Sequence, residues 1–147
     1  MAVEKILVPV DFSEPSGKAL DHAIALAKTS GAKIELTHVY HVPAIPSGPY
    51  AEPLPVEYSQ AMRKGAQSEL DAWLGRVRDA GVEGESHLIE GSPAHEIIEL
   101  ARRLGADQIV IGTRGLTGLK HLMLGSVADR TVRLAHCPVT TVPVDGG

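Results

Sequence analysis

The amino-acid sequence predicts an α/β protein, a single doubly wound domain with a parallel β-sheet covered by helices on both faces. Two observations support this prediction. Short, β-branched apolar segments alternate with longer segments whose apolar residues recur at helical spacing. The short segments are apolar along nearly their whole length, which is typical of strands buried on both faces. Because strand–helix–strand crossovers are nearly always right-handed, the alternation predicts a Rossmann-like sheet.

The first strand is predicted at residues 5–10, Lys-Ile-Leu-Val-Pro-Val. Ser13 is placed to cap the next helix, with Pro15 in its first turn and Gly31 at its end. A second strand is predicted over residues 33–40.

Residues 43–56 have a different composition, because they hold five prolines. Proline lacks a backbone N–H and has a fixed φ, which excludes a regular helix or a central strand here. The segment is predicted to be a long loop, either a plain connection or a mobile lid.

The second half of the chain continues the alternation. A long amphipathic helix is predicted from its apolar stripe, with Trp73 and Met62 on the core side. A third strand follows at residues 85–90. Ser92 and Pro93 then open another helix, which Gly105 ends. The apolar stripe of the long helix is Met62, Ala66, Leu70, Trp73, Leu74 and Val77. The apolar stripe of the helix after Pro93 is Ile97, Ile98, Ala101 and Leu104.

A fourth strand is predicted at residues 107–111. Ser126 is expected to cap the last helix, with Asp129 three residues later as in a capping box. A fifth strand is predicted at residues 138–144.

Composition narrows the class of protein. The 147 residues, 1–147, fit one domain, and with 3% aromatic residues the core must be aliphatic. A formal charge of −4 argues against a nucleic-acid partner, and no apolar run approaches the ~18 residues of a membrane span. We expect a cytoplasmic protein, because the N-terminus lacks a signal-peptide pattern and the single cysteine, Cys137, cannot form an internal disulfide. Cys137 is predicted to be a buried structural thiol.

The segment GTRGLTGLKHLMLGS, residues 112–126, is the strongest candidate for chemistry. Gly112 and Gly115 follow a predicted strand and allow the backbone to approach a ligand closely. Gly125 and Ser126 are placed to begin a helix, whose first N–H groups and positive dipole suit a phosphate. Ordinary tight turns and helix packing remain the alternative interpretation.

Charged residues around this segment support an anion site. Arg114 and Lys120 are positive in an acidic chain and would attract an anion. Asp11, at the end of the first strand, has a different candidate role. In doubly wound sheets, ligands bind beyond the carboxyl ends of the strands. The Asp11 carboxylate could accept hydrogen bonds from ribose hydroxyls or help to hold a metal ion.

The spacing Gly112-x2-Gly115-x9-Gly125-Ser126 resembles the nucleotide-binding motif of the universal stress protein family, in its ATP-binding branch. The resemblance extends over nearly the whole chain. It is carried by Lys5-Ile-Leu-Val-Pro-Val-Asp11, Leu36-Thr-His-Val-Tyr40, Gly91-Ser-Pro-Ala-His-Glu-Ile97, Asp107-Gln-Ile-Val-Ile-Gly112, Gly125-Ser-Val-Ala-Asp129 and Ala135-His-Cys-Pro-Val139.

The resemblance implies a five-stranded parallel sheet in the order 3-2-1-4-5. It also implies ATP as the bound nucleotide, with Mg²⁺ or Mn²⁺ as a candidate companion ion. Asp11 would lie near the ribose and the backbone of Val39 near the adenine. Arg114 is added to the residues implied by the resemblance because of its positive charge. The predicted nucleotide-binding residues are then Pro9, Val10, Asp11, Val39, Gly112, Arg114, Gly115, Gly125, Ser126 and Val127.

The resemblance further implies a homodimer through the last strand, Val139 to Val142, where Pro143 would limit the pairing. The implied function is that of a dimeric, nucleotide-dependent stress-response sensor with a protein partner that the sequence does not identify. Hydrolysis is expected to be slow or absent, because the loop lacks the Gly-Lys-Ser/Thr ending of a P-loop.

Three other functions remain open: a true enzyme, such as a slow ATPase or an adenylylating enzyme; a dimeric interaction module that needs no nucleotide; and a flavodoxin-like FMN protein, which the scarcity of aromatic residues disfavours. No metal site is expected from the histidines, because His38, His41 and the others have no partners at zinc-site spacing.

Overall fold

The computed structural model describes residues 3–41, 44–47, 50–53, 55–113 and 120–144. The strands are β1 Lys5–Pro9, β2 Lys33–Tyr40, β3 Ala44–Ser47, β4 Tyr50–Pro53, β5 Gly84–Glu90, β6 Gln108–Thr113 and β7 Val139–Pro143. The helices are α1 Glu14–Ser30, α2 Val56–Asp79, α3 Pro93–Leu104 and α4 Lys120–Leu134. None of the helices within these ranges has the length and apolar character needed to cross a membrane.

Five strands form one parallel sheet in the order β5-β2-β1-β6-β7. Counting only the strands of this sheet, the order is 3-2-1-4-5, so the predicted fold is confirmed. β1 and β6 are neighbours at the point where the winding reverses. Their register runs over only two pairs, Ile6 with Gln108 and Leu7 with Ile109. Toward their carboxyl ends the two strands therefore separate, which leaves room for a cavity.

Each face of the sheet carries an aliphatic core. Ile6, Val8, Ile34 and Leu36 are fully buried on one face, against α1 and α2. The other face packs against α3 and α4. Its buried residues include Leu7, Ile97, Leu100, Ala101, Ile109, Ile111 and Ala128. The scarcity of aromatic residues thus corresponds to a core of branched aliphatic side chains and alanine.

The helix ends follow the predicted signals. Ser13 caps α1, and its Oγ accepts a hydrogen bond from the N–H of Ser16 at 3.5 Å. Gly31 and Gly105 end α1 and α3 with φ of 77° and 67°, left-handed angles that favour glycine. Ser92 precedes Pro93 as predicted, but it caps α3 without a side-chain hydrogen bond.

The proline-rich segment contains more regular structure than predicted. β3 and β4 pair in an antiparallel hairpin, with Ser47 opposite Tyr50 and Ala44 opposite Pro53. The prediction of a loop was wrong for these residues, although the exclusion of a central strand holds. A two-stranded ribbon leaves one hydrogen-bonding edge of each strand without a ladder partner, so it can accommodate proline.

The start of α4 also differs from the prediction. The helix begins at Lys120, so Gly125 and Ser126 lie inside it and Ser126 is not its N-cap. The preceding Lys-His-Leu-Met-Leu, residues 120–124, is rich in residues of high helix propensity. This run extends the helix across Gly125 despite a cost of about 1 kcal/mol for an interior glycine.

Candidate functional site

A cavity of ≈ 150 Å³ opens where β1 and β6 separate. Its walls come from the ends of β1, β2 and β6 and from the helices α1, α3 and α4. The lining residues are Pro9, Val10, Asp11, Ser13, Pro15, Ser16, Val39, Pro93, Ile97, Ile111, Gly112, Val127 and Ala128. Most of this wall is apolar, and its polar side chains are one carboxylate and two serine hydroxyls.

Six residues of the predicted set lie around this cavity: Pro9, Val10, Asp11, Val39, Gly112 and Val127. Arg114 and Gly115 lie outside the described residues. Gly125 and Ser126 belong to the second turn of α4, and Ser126 is not among the described residues that line the cavity. The structure therefore brings together the strand-end residues of the predicted set and Val127 of α4, but not Ser126.

Seven lining residues were not predicted as site residues: Ser13, Pro15, Ser16, Pro93, Ile97, Ile111 and Ala128. Ser13, Pro15 and Pro93 had been assigned to helix starts alone. In a parallel sheet the crossover helices begin at the same edge where the strands end, so their first turns face the ligand crevice. This topological rule, applied to the predicted caps, could have identified them.

Asp11 connects the end of β1 to the first turn of α1. Its Oδ1 accepts hydrogen bonds from the N–H of Ser13 at 3.0 Å, from the Ser13 hydroxyl and from the Ser16 hydroxyl at 3.0 Å. The N–H of Asp11 donates to Ser16 Oγ at 3.2 Å. Ser16 is only 5% exposed, whereas Asp11 is exposed. One carboxylate oxygen thus orders the helix start, while the residue itself remains accessible at the cavity.

The backbone of Val10 is fixed by two residues of β2. Its N–H donates to the Thr37 carbonyl at 2.8 Å. Its carbonyl lies 2.8 Å from Nδ1 of His38. Because a carbonyl only accepts, Nδ1 carries the proton of this hydrogen bond. His38 therefore acts as a hydrogen-bond donor to the cavity wall.

A second polar cluster lies on β2 and β5. Glu35, Glu85 and His87 each place a ligand-type atom within 4.8 Å of the others. Glu35 is 1% exposed, and His87 Nε2 lies 2.6 Å from its carboxylate. A buried charge in an apolar strand needs partners, but the sequence contains no signal for this pairing, because 52 residues separate Glu35 from His87.

Lys33 forms ion pairs with both carboxylates of this cluster. Its Nζ lies 3.2 Å from Glu35 and 3.1 Å from Glu85. Hydrogen bonding to Glu85 and the two nearby carboxylates raise the pKa of Lys33, and the same ammonium group lowers the pKa of Glu85. Since Lys33 contacts both carboxylates, the arrangement is complete as an ion-pair network. Glu35 is four residues along β2 from Val39, roughly 13 Å from the cavity edge.

Cys137 is half-buried and packs beside the core under α3 and α4. Burial, with a smaller contribution from the charge of Asp107, raises the pKa of its thiol. A thiol that stays protonated is a poor nucleophile, which agrees with the structural role predicted for it.

β7 is an edge strand of the sheet. It pairs with β6 on one side, from Ile109 opposite Val139 to Thr113 opposite Pro143. In the helix before it, Val132 and Leu134 are 47% and 58% exposed. An edge strand beside exposed apolar residues is a surface where another chain can pair.

Comparisons with known proteins agree with this architecture. The model of the universal stress protein family matches residues 2–143. The universal stress protein MJ0531 of Methanocaldococcus jannaschii is 38% identical over 144 residues, covering 95% of this chain and 81% of that protein. A crystal structure from the same family in Burkholderia pseudomallei is 30% identical, with a TM-score of 0.77 over 97% of both chains.

A further solved structure carries a ligand. It is the universal stress protein from Archaeoglobus fulgidus in complex with dAMP. It is 26% identical to this chain, with a TM-score of 0.67 over 96% of this chain and 98% of that one. The family model spans almost the whole chain, and the relatives match it in sequence, length and fold. The chain therefore belongs to the universal stress protein family.

Proposed function

We propose that the cavity binds an adenine nucleotide, with ATP as the physiological ligand, and that the protein is a dimeric, nucleotide-dependent stress-response regulator. The observation that carries the proposal is the convergence of Pro9, Val10, Asp11, Val39, Gly112 and Val127 on one cavity at the reversal point of the sheet. The dAMP complex of the Archaeoglobus fulgidus relative supports the same ligand class.

The size and lining of the cavity suit the base. An apolar cavity of about 150 Å³ accepts a benzene-sized ring. The cavity here is ≈ 150 Å³, and Ile97 and Ile111 contribute buried apolar side chains to it. We infer that the adenine enters between these residues, beside the backbone of Val39, and that the sugar and phosphates extend outward.

Asp11 is the proposed ribose ligand. Its Oδ1 is held by Ser13 and Ser16. The second oxygen, Oδ2, belongs to the same fixed carboxylate and would accept a hydrogen bond from a ribose hydroxyl. Hydrogen bonds to an ionised acceptor are stronger than neutral ones, which would give this contact weight in the affinity.

The phosphates would leave the cavity past Gly112 toward residues 114–126. Arg114 and Gly115 are proposed phosphate ligands on the sequence motif alone. Gly125 and Ser126 lie inside α4, where a backbone N–H normally bonds the carbonyl four residues earlier. Contact between their N–H groups and a phosphate would therefore require the first turn of α4 to unwind on binding.

Efficient hydrolysis is not part of the proposal. Phosphoryl transfer needs positive charge positioned on the transferred group. Among the described lining residues none is a lysine, arginine or histidine. Arg114, Lys120 and a bound Mg²⁺ or Mn²⁺ are the remaining sources of charge, with Asp11 as a carboxylate that fits a divalent ion. At most slow hydrolysis of ATP is expected.

The proposed homodimer uses the free edge of β7, Val139 to Val142. Its partner strand would be the same segment of a second copy, and Val132 and Leu134 would be covered next to it. A cytoplasmic location is part of the same proposal. Formation of this dimer without nucleotide would instead favour the interaction module, so oligomeric state should be measured on the nucleotide-free protein.

Calorimetric titration of nucleotide-stripped protein with ATP, ADP and AMP, each with and without Mg²⁺, tests the proposal. We expect saturable heat for at least one adenine nucleotide and weaker or absent binding of GMP, which has a different base edge. The absence of heat for every adenine nucleotide would contradict the proposed function.

A further inference from the structure

Phe12 has an unusual backbone conformation and lies in the chain between two residues of the cavity wall, Asp11 and Ser13. It is the one non-glycine residue with positive φ, 66°, in the described part of the chain. Bulky side chains seldom adopt this left-handed conformation, and such strain is commonly found at ligand sites and switches. Phe12 follows Asp11 directly, so the strained residue lies between the proposed ribose ligand and α1.

Two aromatic side chains hold the Phe12 ring. Its centroid lies 4.4 Å from that of His38, with the rings tilted by 39°. It lies 5.5 Å from that of Trp73, which it meets edge to face at 72°. Edge-to-face and offset arrangements are the favourable geometries for aromatic pairs. The strained backbone is thus stabilised by contacts to β2 and α2.

His38 anchors both neighbours of Asp11. Its Nδ1–H donates to the Val10 carbonyl, and its ring contacts Phe12. Asp11 itself is tied to Ser13 and Ser16. One side chain of β2, outside the cavity lining, therefore contributes to the position of the Asp11 backbone, together with Thr37 and Ser16.

The contacts continue to the outer surface. Trp73 carries the Arg76 guanidinium 4.8 Å from its ring centroid, and Arg76 pairs with Asp21 of α1 at 2.9 Å. These residues line an open groove between α1 and α2 together with Phe12 and Ser13. Ser13 also lines the cavity, so the groove and the cavity share the first turn of α1 as a common wall.

We propose that Phe12 and His38 are positioning residues for the nucleotide cavity, and that occupation of the cavity is transmitted through the Phe12 ring to Trp73 and the groove between α1 and α2. This inference rests on the proposed function, since it deepens the role of the same site. A ligand that accepts or donates a hydrogen bond at Asp11 shifts the peptide between Asp11 and the strained Phe12. Because the Phe12 ring contacts Trp73, a shift of this peptide changes the surroundings of the indole.

The single tryptophan of the chain provides the readout. AMP is titrated into the stripped protein while tryptophan emission and binding heat are recorded under the same conditions. We expect an emission change whose midpoint matches the calorimetric one. Binding heat without an emission change would overturn the coupling and leave the proposed function intact. Absence of binding heat for AMP, ADP and ATP alike would overturn both.

Substitutions test the positioning role separately. Phe12→Leu keeps an apolar side chain but removes the ring; we expect it to weaken AMP binding about fivefold or more, the lower end of typical coupling between sites, and to abolish the emission response. Phe12→Tyr keeps the ring and should rescue both. Tyr58→Leu, which changes an exposed aromatic residue on the helix that carries Trp73, is the matched control and should leave both unchanged.

Two variants of His38 test its hydrogen bond to Val10 and its ring contact with Phe12 separately. His38→Asn keeps a donor near the position of Nδ1 but has no ring, whereas His38→Phe keeps a ring and has no donor. We expect each to weaken AMP binding partially and only His38→Asn to reduce the emission response. A purely structural role would lower the unfolding temperature of these variants while AMP affinity stayed within about twofold of the original, and that result would overturn the proposal.

Discussion

Gly112, at the end of β6, lies against the carbonyl of Pro15 in the first turn of α1 so closely that a Cβ on Gly112 would overlap that oxygen. The same Cβ would lie 3.0 Å from the Ser16 nitrogen. Both Gly112 and Pro15 line the cavity. The glycine therefore has a packing reason within the protein itself, in addition to the approach to phosphate that the sequence motif suggested.

Gly112→Ala should destabilise the fold, because β6 or α1 must shift to accommodate the methyl group. Overpacking of this kind costs about 1–3 kcal/mol, and the shift should also weaken nucleotide binding. Urea unfolding and calorimetry measure the two effects. Gly65→Ala is the control, because a Cβ on Gly65 of α2 meets open space and alanine favours a helix. Equal stabilities of Gly112→Ala and the original protein would contradict the packing argument.

Asp11→Asn should weaken nucleotide binding about tenfold, the equivalent of about 1.4 kcal/mol, because the ribose hydroxyl loses an ionised acceptor. The asparagine Oδ1 can still accept from Ser13 and Ser16, so the loss of stability should stay near 1 kcal/mol, the usual scale of a charge at a helix N-terminus. Calorimetry and thermal unfolding check this pair of effects. Asp79→Asn, at an exposed position of α2 away from the cavity and the groove, is the control and should leave affinity unchanged. Equal nucleotide affinities of the Asp11 variant and the control variant would contradict the proposed role of Asp11.

Lys33→Met should destabilise the protein by roughly 1–3 kcal/mol, the cost of removing one partner of a buried polar group, because the Glu35 carboxylate loses its ammonium partner. Glu35 is 1% exposed and would keep only His87. Lys64→Met, on the exposed surface of α2, is the control. Denaturant unfolding near neutral pH provides the comparison, and a Lys33 variant as stable as the control would show that the network contributes nothing.

The contribution of Lys33 should also depend on pH. Because Lys33 lowers the pKa of Glu85, the stabilisation is present above the ordinary value of 4.5 and is lost as pH falls through the lowered pKa. Because Glu85 raises the pKa of Lys33, the stabilisation is present below 10.5 and is lost as pH rises through the raised pKa. The difference in unfolding free energy between the original protein and Lys33→Met should therefore shrink below pH 4.5. A difference that stays constant or grows in acid would contradict this assignment.

ATP should change hydrogen exchange at the start of α4 if its phosphates reach the N–H groups of Gly125 and Ser126. Those groups lie inside the helix, so residues 120–126 must leave their helical hydrogen bonds first. Hydrogen exchange is measured by mass spectrometry with ATP and with adenosine, which lacks phosphate. The comparison distinguishes the effect of the phosphates from that of the base and sugar. Bound ATP with unchanged exchange in this segment would mean that the phosphates are held elsewhere.

The sheet and its helix ends could be predicted because their signals are local or topological. Continuous apolar strands, the Ser13 cap and the glycines after α1 and α3 each have a direct physical cause, and the resemblance supplied the strand order. The start of α4 could not be predicted in this way. The pattern at Ser126 and Asp129 is a short-range cap signal, and the helix propensity of residues 120–124 outweighed it.

The candidate site was predicted in part for the same reason. Asp11 and Gly112 follow from the rule that ligands bind at strand ends, and the resemblance supplied Val39. Ser16 was missed, because its contact with Asp11 depends on the turn through Phe12, which no sequence pattern indicated. The pairing of Glu35 with His87 was missed too, because it requires the register between β2 and β5.

The most direct test of the central claim is to map adenine nucleotide binding by NMR on isotope-labelled, nucleotide-stripped protein. We expect saturation with AMP to shift the backbone amides of Val10, Asp11, Val39, Gly112 and Val127 more than any others outside residues 114–126. Unshifted amides around the cavity at saturating AMP, or shifts centred on Glu35 and His87 instead, would contradict it.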